Sequence, residues 1–309
     1  MDSRKFLFSL FLLCASIGQM LAQTKTIAER LGYPADSKLL IVHADDLAVA
    51  HSVNSASFDA LQKGAVTSAS IMVPCPWITE VAAYAKAHPD ADFGLHLTLT
   101  SEWKLYRWGP VSPSDKVPSL LDPAGTFWGD TPQVALHAKD DDAEREIRAQ
   151  VERAMALGIR PTHLDTHMGS VLATPKLFAA YIKVAHEFHL PFLAVRIPGA
   201  DTFLSKLSEK DIVLDALIMA APTVHTDQWK EFYLNSIKGL KPGLTQMIVH
   251  LGHNDAELQA VTMDHPDYGS SWRQRDYDFV TSPEFKKALE DNHIILVKWK
   301  DLQRLVNQP

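Results

Sequence analysis

Two adjacent carboxylates, Asp45 and Asp46, end an apolar run in the stretch LLIVHADD. Two acids this close are costly to ionise together unless a cation or a proton accompanies them. Further on, His163, Asp165 and His167 alternate in RPTHLDTH, and single histidines, His96 and His250, stand in FGLHLTLT and VHLG. Carboxylate and imidazole together are the ligand set of a divalent cation with open positions. Beside such a cation, a second carboxylate can take a proton from water and an imidazole can protonate a leaving group. The plain alternative is that Asp45 and Asp46 are loop acids capping the next helix. The chain has 14 histidines, so chance placements are expected. On composition grounds His43, His51, His88, His137, His186, His189 and His225 read as surface or packing residues.

The elements that must position these residues follow from the apolar pattern. Lys38–Ala44 reads as a buried parallel strand, because its branched apolar run is short and continuous. His51–Gly64 carries a helical apolar face closed by glycine. Val66–Val73 and Ala91–Thr100 read as strands, with a helix over Pro76–His88 between them. The order β-α-β-α-β predicts parallel strands with covering helices. Further helices are expected over 140–157, 175–189, 284–292 and 300–306. Asp201–Tyr233 reads as largely helical with a break at Pro222. Further strands are expected over 161–165, 192–197, 244–250 and 294–298. That makes about seven parallel strands, an α/β, (β/α) barrel-like fold, distorted or incomplete relative to a TIM-type barrel. In such a fold the C-terminal strand ends share one face, so Asp45, Asp46, His96, His163, Asp165, His167 and His250 converge there. Strand alternation puts the side chains of Asp45 and Asp46 on opposite sides.

Two stretches break the rhythm. Residues 101–131 hold four prolines and the aromatics Trp103, Tyr106, Trp108, Phe127 and Trp128. Residues 251–282 read as a polar, aromatic-rich loop with Tyr268, Trp272 and Tyr277. Either could offer aromatic faces to a ligand, although packing is the commoner fate of a large ring.

The chain has 309 residues, 46% hydrophobic and 22% charged, with a formal charge of −7. This is an ordinary globular composition, and the absence of a basic tract argues against a nucleic-acid partner. Arg4 and Lys5 precede the apolar run Phe6–Ala15, and small and polar residues lead to Ala22 and Gln23. This is the layout of a signal peptide over residues 1–23, with one domain over 24–309 and an exported, periplasmic or secreted product. The apolar run is short for a membrane span. With the peptide removed, Cys75 is the only cysteine, so no intramolecular disulfide can form.

The succession LLIVHADD, GAVTSASIMV, FGLHLTLT, SLLDPAGTFW and RPTHLDTH resembles the YdjC/ChbG family of carbohydrate deacetylases over nearly the whole mature chain. The resemblance implies a (β/α) barrel-like fold and removal of N-acetyl groups from mono- or oligosaccharides with one divalent metal ion, Mg2+ or Zn2+. It implies Asp46, His96 and His167 as metal ligands, Asp45 as general base and His250 as a candidate general acid. It also implies Arg275 as an arginine near the carboxylates, and Asp165 as an orienter of His167 or of the acid. Trp103, Trp108 and Trp128 would be substrate-side aromatics, and a homodimer is an expectation from the family alone. The chain departs from the family in two places. The motif usually reads Asn-Ala-Asp-Asp-Phe-Gly, where this chain has His43, Leu47 and Ala48 for the asparagine, phenylalanine and glycine, and Met168-Gly169-Ser170 follow His167 where the family often has more histidines.

Two other classes compete. A phosphoesterase would need basic or glycine-rich donors for phosphate near the metal, and Arg196, Arg273 and Arg275 are the obvious candidates. A non-catalytic glycan-binding protein on an enzyme scaffold would typically have lost Asp45 or a ligand.

Overall fold

A computed structural model describes residues 25–307. The signal-peptide reading of residues 1–23 lies outside the described residues. Among those described, no helix is long and apolar enough to cross a membrane.

Seven strands form one parallel sheet: β1 (Lys38–Leu47), β2 (Ser68–Ile71), β3 (Phe93–Leu97), β4 (Leu164–Thr166), β5 (Ala216–Met219), β6 (Gly243–Val249) and β7 (Ile294–Leu296). The order across the sheet is β4-β3-β2-β1-β6-β5, with β7 paired to β1. Both β2 and β7 use the edge of β1 that β6 leaves free: β7 takes Lys38–Leu40 and β2 starts at His43. The sheet curls, and the edge strands β4 and β5 are linked by the segment 191–196. Leu164 N donates to the Pro191 carbonyl and Leu214 N donates to the Ala194 carbonyl. The expected strand over 192–197 is therefore present only as two isolated bridges, Leu164 with Phe192 and Val195 with Leu214. The architecture is the expected α/β barrel-like fold.

The twofold periodicity of β1 sorts the interior. Leu40, Val42 and Ala44 pack outward against the covering helices. Leu39 and Ile41 point inward, joining Leu193, Leu214, Leu244, Val297 and Trp299 in an apolar plug at the N-terminal end of the barrel. The next inward positions are His43 and Asp45, so the interior changes from apolar to ionisable along a single strand. His163 joins this polar layer and stacks on Trp299, with ring centroids 4.6 Å apart. Gly94 is required there: a Cβ at that position would lie 2.3 Å from the His163 ring.

Two regions differ from expectation. Residues 251–282 are mostly helical, with helices Ala256–Val261 and Ser270–Val280. The second helix buries Trp272, Arg273, Asp276, Phe279 and Val280, a pattern masked in the sequence by interleaved charges. Within 201–233 only Asp201–Leu204 and the first turns of Trp229–Lys238 are α-helical, and β5 lies between them. β5 is a continuous apolar run, Ala216–Met219, with alternate residues exposed; so short a run does not by itself separate a strand from a helical segment.

Candidate metal and hydrolytic site

The ionisable residues gather at the C-terminal ends of β1, β3, β4 and β6. His96 and Asp165 are directly paired across β3 and β4. His167 follows β4 and His250 follows β6. Asp45 and Asp46 do not point to opposite sides as strand alternation predicted. The register between β1 and β2 shifts after Ala44, and Asp46 takes φ +70°. The bulge re-aims one side chain, and both carboxylates face His96: Asp46 Oδ1 lies 3.3 Å and Asp45 Oδ2 3.8 Å from its Nε2. Ala48, where the family motif carries glycine, also adopts a left-handed φ of +77°. It is held there by its N–H, which donates to Asn54 Oδ1 at 2.7 Å.

Asp46, His96 and His167 form one cluster whose ligand-type atoms all lie within 4.8 Å of one another. His167 Nδ1 is 3.2 Å from Asp46 Oδ1. That oxygen is buried and has no hydrogen-bond partner among the described residues. The outward ring nitrogens are each held by a carboxylate: His96 Nδ1 by Asp165 at 2.8 Å and His167 Nε2 by Glu102 at 3.0 Å. Carboxylate–imidazole pairs of this kind set the tautomer and orientation of metal-binding histidines. An orphan carboxylate oxygen facing two oriented imidazoles fits a divalent cation. Burial alone would lower the pKa of His167, but Glu102 and Asp46 outweigh it and raise it to about 9. His96 is likewise raised against burial, by Asp165, Asp45 and Asp46. Protons and a cation therefore compete for the same nitrogens.

Asp46 is buried, which opposes its ionisation, yet Arg273, His167 and His96 hold its carboxyl well below the usual range. Arg273 Nη2 donates to Asp46 Oδ2 at 2.7 Å, and its Nε donates to the Tyr268 carbonyl at 2.6 Å. Arg273, not Arg275, is thus the arginine at the carboxylates. Arg275 is two residues on, turned about 200° round the same helix, and its guanidinium lies 4.8 Å from the Trp229 ring centre.

Asp45 Oδ2 lies 3.9 Å from His250 Nε2. Burial lowers His250 to about 4, so the ring is neutral near pH 7. Its backbone N–H donates to Asp276 at 2.9 Å, and Tyr268 packs beside it with ring centroids 4.8 Å apart.

The loop 101–131 is clamped onto the barrel. Glu146 accepts the N–H groups of Val111 and Ser112, and Tyr106 donates its hydroxyl to the Val49 carbonyl. Trp103 and Trp108 are buried, so neither offers a free face to a sugar. Trp103 lies under Arg273, with the guanidinium 5.7 Å from its ring centre, and Trp108 sits 6.1 Å from His167. Trp128 is half-buried and stacks on His137 at 4.1 Å. Trp103 and Trp108 thus pack against site residues, and Trp128 does not.

A family model for YdjC-like proteins matches residues 39–291. The chain belongs to the YdjC-like family. It is 31% identical to a carbohydrate deacetylase of Thermus thermophilus over 278 residues, covering 86% of this chain and 95% of that one. It is 32% identical to a carbohydrate deacetylase of Brevibacillus brevis over 274 residues, covering 85% and 99%. A solved structure from Enterococcus faecalis V583, named for cellobiose-phosphate cleavage, superposes with a TM-score of 0.74 at 25% identity, covering 86% and 99%. Glu102 and His43 were not expected at the centre from sequence, and Arg273 was expected there only as a phosphate donor under the phosphoesterase alternative. The only signal for Glu102 is its place five residues beyond the end of β3.

Proposed function

We propose that this YdjC-like protein is a metal-dependent carbohydrate deacetylase that releases acetate from N-acetylated amino sugars or short oligosaccharides. The carrying observation is the Asp46–His96–His167 cluster beside a separate Asp45–His250 pair. The relatives named carbohydrate deacetylases support the substrate class.

Asp46, His96 and His167 would hold the cation, Mg2+ or Zn2+. Such an ion polarises a carbonyl oxygen and lowers the pKa of a water. Asp45 is not in that ligand set and takes the proton of the attacking water as general base. His250 returns a proton to the departing sugar nitrogen. Because burial keeps His250 neutral beforehand, it acquires that proton during turnover through its contact with Asp45. Arg273 keeps Asp46 ionised, and Asp165 and Glu102 keep the two imidazoles turned inward.

The test is to strip the protein of metal, reload it with single metals and measure acetate release from N-acetylglucosamine and chitooligosaccharides. Phosphate release from sugar phosphates without acetate release would favour the phosphoesterase alternative. Glycan binding without turnover would favour a binding protein. If residues 1–23 are an export signal, the substrate lies outside the cytoplasm. N-terminal sequencing of protein from the extracytoplasmic fraction tests it, with cleavage expected near Ala22 or Gln23. The homodimer expected from the family is tested by sedimentation.

A further inference from the structure

Of the seven histidines that read as surface or packing residues, six are exposed and His43 alone is fully buried. It stands on β1 two residues before Asp45 and so faces the same interior. Its Nε2 lies 2.9 Å from Asp165 Oδ2 and 3.0 Å from Ser70 Oγ. The same nitrogen is 3.2 Å from Asp45 Oδ1, closer to that carboxylate than either His96 or His250, at 3.8 and 3.9 Å. The contact with Asp45 is close but poorly aligned for a hydrogen bond, since Asp45 Oδ1 has no hydrogen-bond partner.

Asp165 uses its other oxygen on His96 Nδ1, at 2.8 Å. One imidazole nitrogen therefore touches the proton-accepting carboxylate directly and the metal-side imidazole through one intermediary. A ring that merely filled space could be replaced by an apolar residue of similar size. Here replacement would strand the buried Asp165 oxygen and remove from Asp45 the nearest of its three imidazole neighbours.

We propose that His43 is a positioning residue, an inference that rests on the deacetylase reading above: its Nε2 holds the Asp45 carboxylate in place and, through Asp165, fixes the ring of His96. The family motif usually has asparagine at this position. An asparagine amide reaches only to where Nδ1 of the imidazole stands, so the linkage through Nε2 belongs to this chain's histidine.

The experiment compares His43→Leu and His43→Gln with the full-length wild-type protein. Glutamine places its amide nitrogen near the position of Nε2, and leucine places nothing polar there. Acetate-release kinetics and the affinity for cobalt(II), followed by its visible absorption, are measured for each, with a thermal melt as the control for folding. His43→Leu is expected to lower kcat about 100-fold with KM within about threefold, and to weaken cobalt binding about tenfold. His43→Gln is expected to recover at least about tenfold of the lost kcat and most of the cobalt affinity. The proposal is overturned if folded His43→Leu keeps kcat and cobalt affinity within about threefold of wild type, or if glutamine does no better than leucine. If His43→Leu does not fold, His43→Asn takes its place as the variant that stops short of Asp165. If the wild-type protein releases no acetate from any N-acetyl sugar, the deacetylase reading fails. The cobalt series then decides alone: a graded loss from wild type through glutamine to leucine upholds the positioning role, and equal affinities overturn it.

Discussion

Arg273 reaches Asp46 across 227 residues of sequence and donates to its carboxylate at 2.7 Å, in a place where neither side chain meets solvent. A buried carboxylate stripped of its cation keeps its charge at a high cost or takes up a proton. Arg273→Ala is expected to destabilise the fold by about 3–5 kcal/mol. Arg275, stacked on Trp229 outside the site, is the control: Arg275→Ala should stay within about 1 kcal/mol. Denaturant melts of both variants measure this, and equal losses would contradict the assignment of roles.

Asp45→Asn keeps the shape of the side chain and removes its ability to take a proton. The expected result is a fall in kcat of about 10²–10⁴-fold with metal content by elemental analysis unchanged. Near-normal hydrolysis by this variant would remove Asp45 from the mechanism.

Ala48 occupies a left-handed backbone conformation, φ +77°. An L-residue with a Cβ is strained there by about 1–2 kcal/mol, and glycine is not. Ala48→Gly relieves that strain and loses part of the gain to unfolded-chain entropy. A net stabilisation of up to about 1 kcal/mol is expected, read from the midpoint of urea unfolding. A clear loss of stability would mean that the Ala48 methyl contributes more by packing than the strain costs.

His43 gives the fold a pH dependence on the alkaline side. Burial would lower its pKa, but the hydrogen-bonded Asp165 and the nearby Asp45 carboxylate raise it to about 9. The folded protein therefore binds this proton more tightly than the unfolded chain, whose histidines titrate near 6.5. The stabilisation is complete below that value and is lost as pH rises through about 9. Chelated protein should melt at progressively lower temperature between pH 6.5 and 9.5, and the decline should be shallower in His43→Gln.

Chelation should abolish acetate release, and a single added divalent metal should restore it. Because His167 is raised to about 9 by Glu102 and Asp46 against burial, metal must displace a proton from that ring. Apparent metal affinity should therefore rise from pH 6 to pH 8. Titration calorimetry at the two pH values measures it, and a pH-independent affinity would argue against His167 as a ligand.

Much of this centre is legible in the sequence for one reason: parallel strands deliver their C-terminal residues to one face. Asp45, Asp46, His96, Asp165, His167 and His250 could be gathered from strand ends alone. What stayed hidden has physical causes. The bulge that turns Asp46 inward depends on the register with β2, a non-local property. Arg273 lies in a helix whose buried face is broken up by charged residues, so the stretch read as a loop and the arginine as one of several. Glu102 and Trp108 reach His167 by the folding of a long irregular segment, which no periodicity describes. His43 looked like one histidine among 14. Only the inward parity of β1, set by the plug at Leu39 and Ile41, marks it as central.

The sharing of one edge of β1 between β2 and β7 has a consequence for biosynthesis. All of the candidate ligands, the base and the acid have been translated once the ribosome passes His250. At that point Arg273 has not been made, and neither have β7 and Trp299, which fill the lower edge of β1 and cap His163. The nascent chain thus carries these side chains on six of the seven strands, but without β7, Arg273 and Trp299 to close the lower edge of β1 and hold Asp46. A frameshift or early stop anywhere before Trp299 should yield a substrate for proteases and chaperones, not a weakened enzyme.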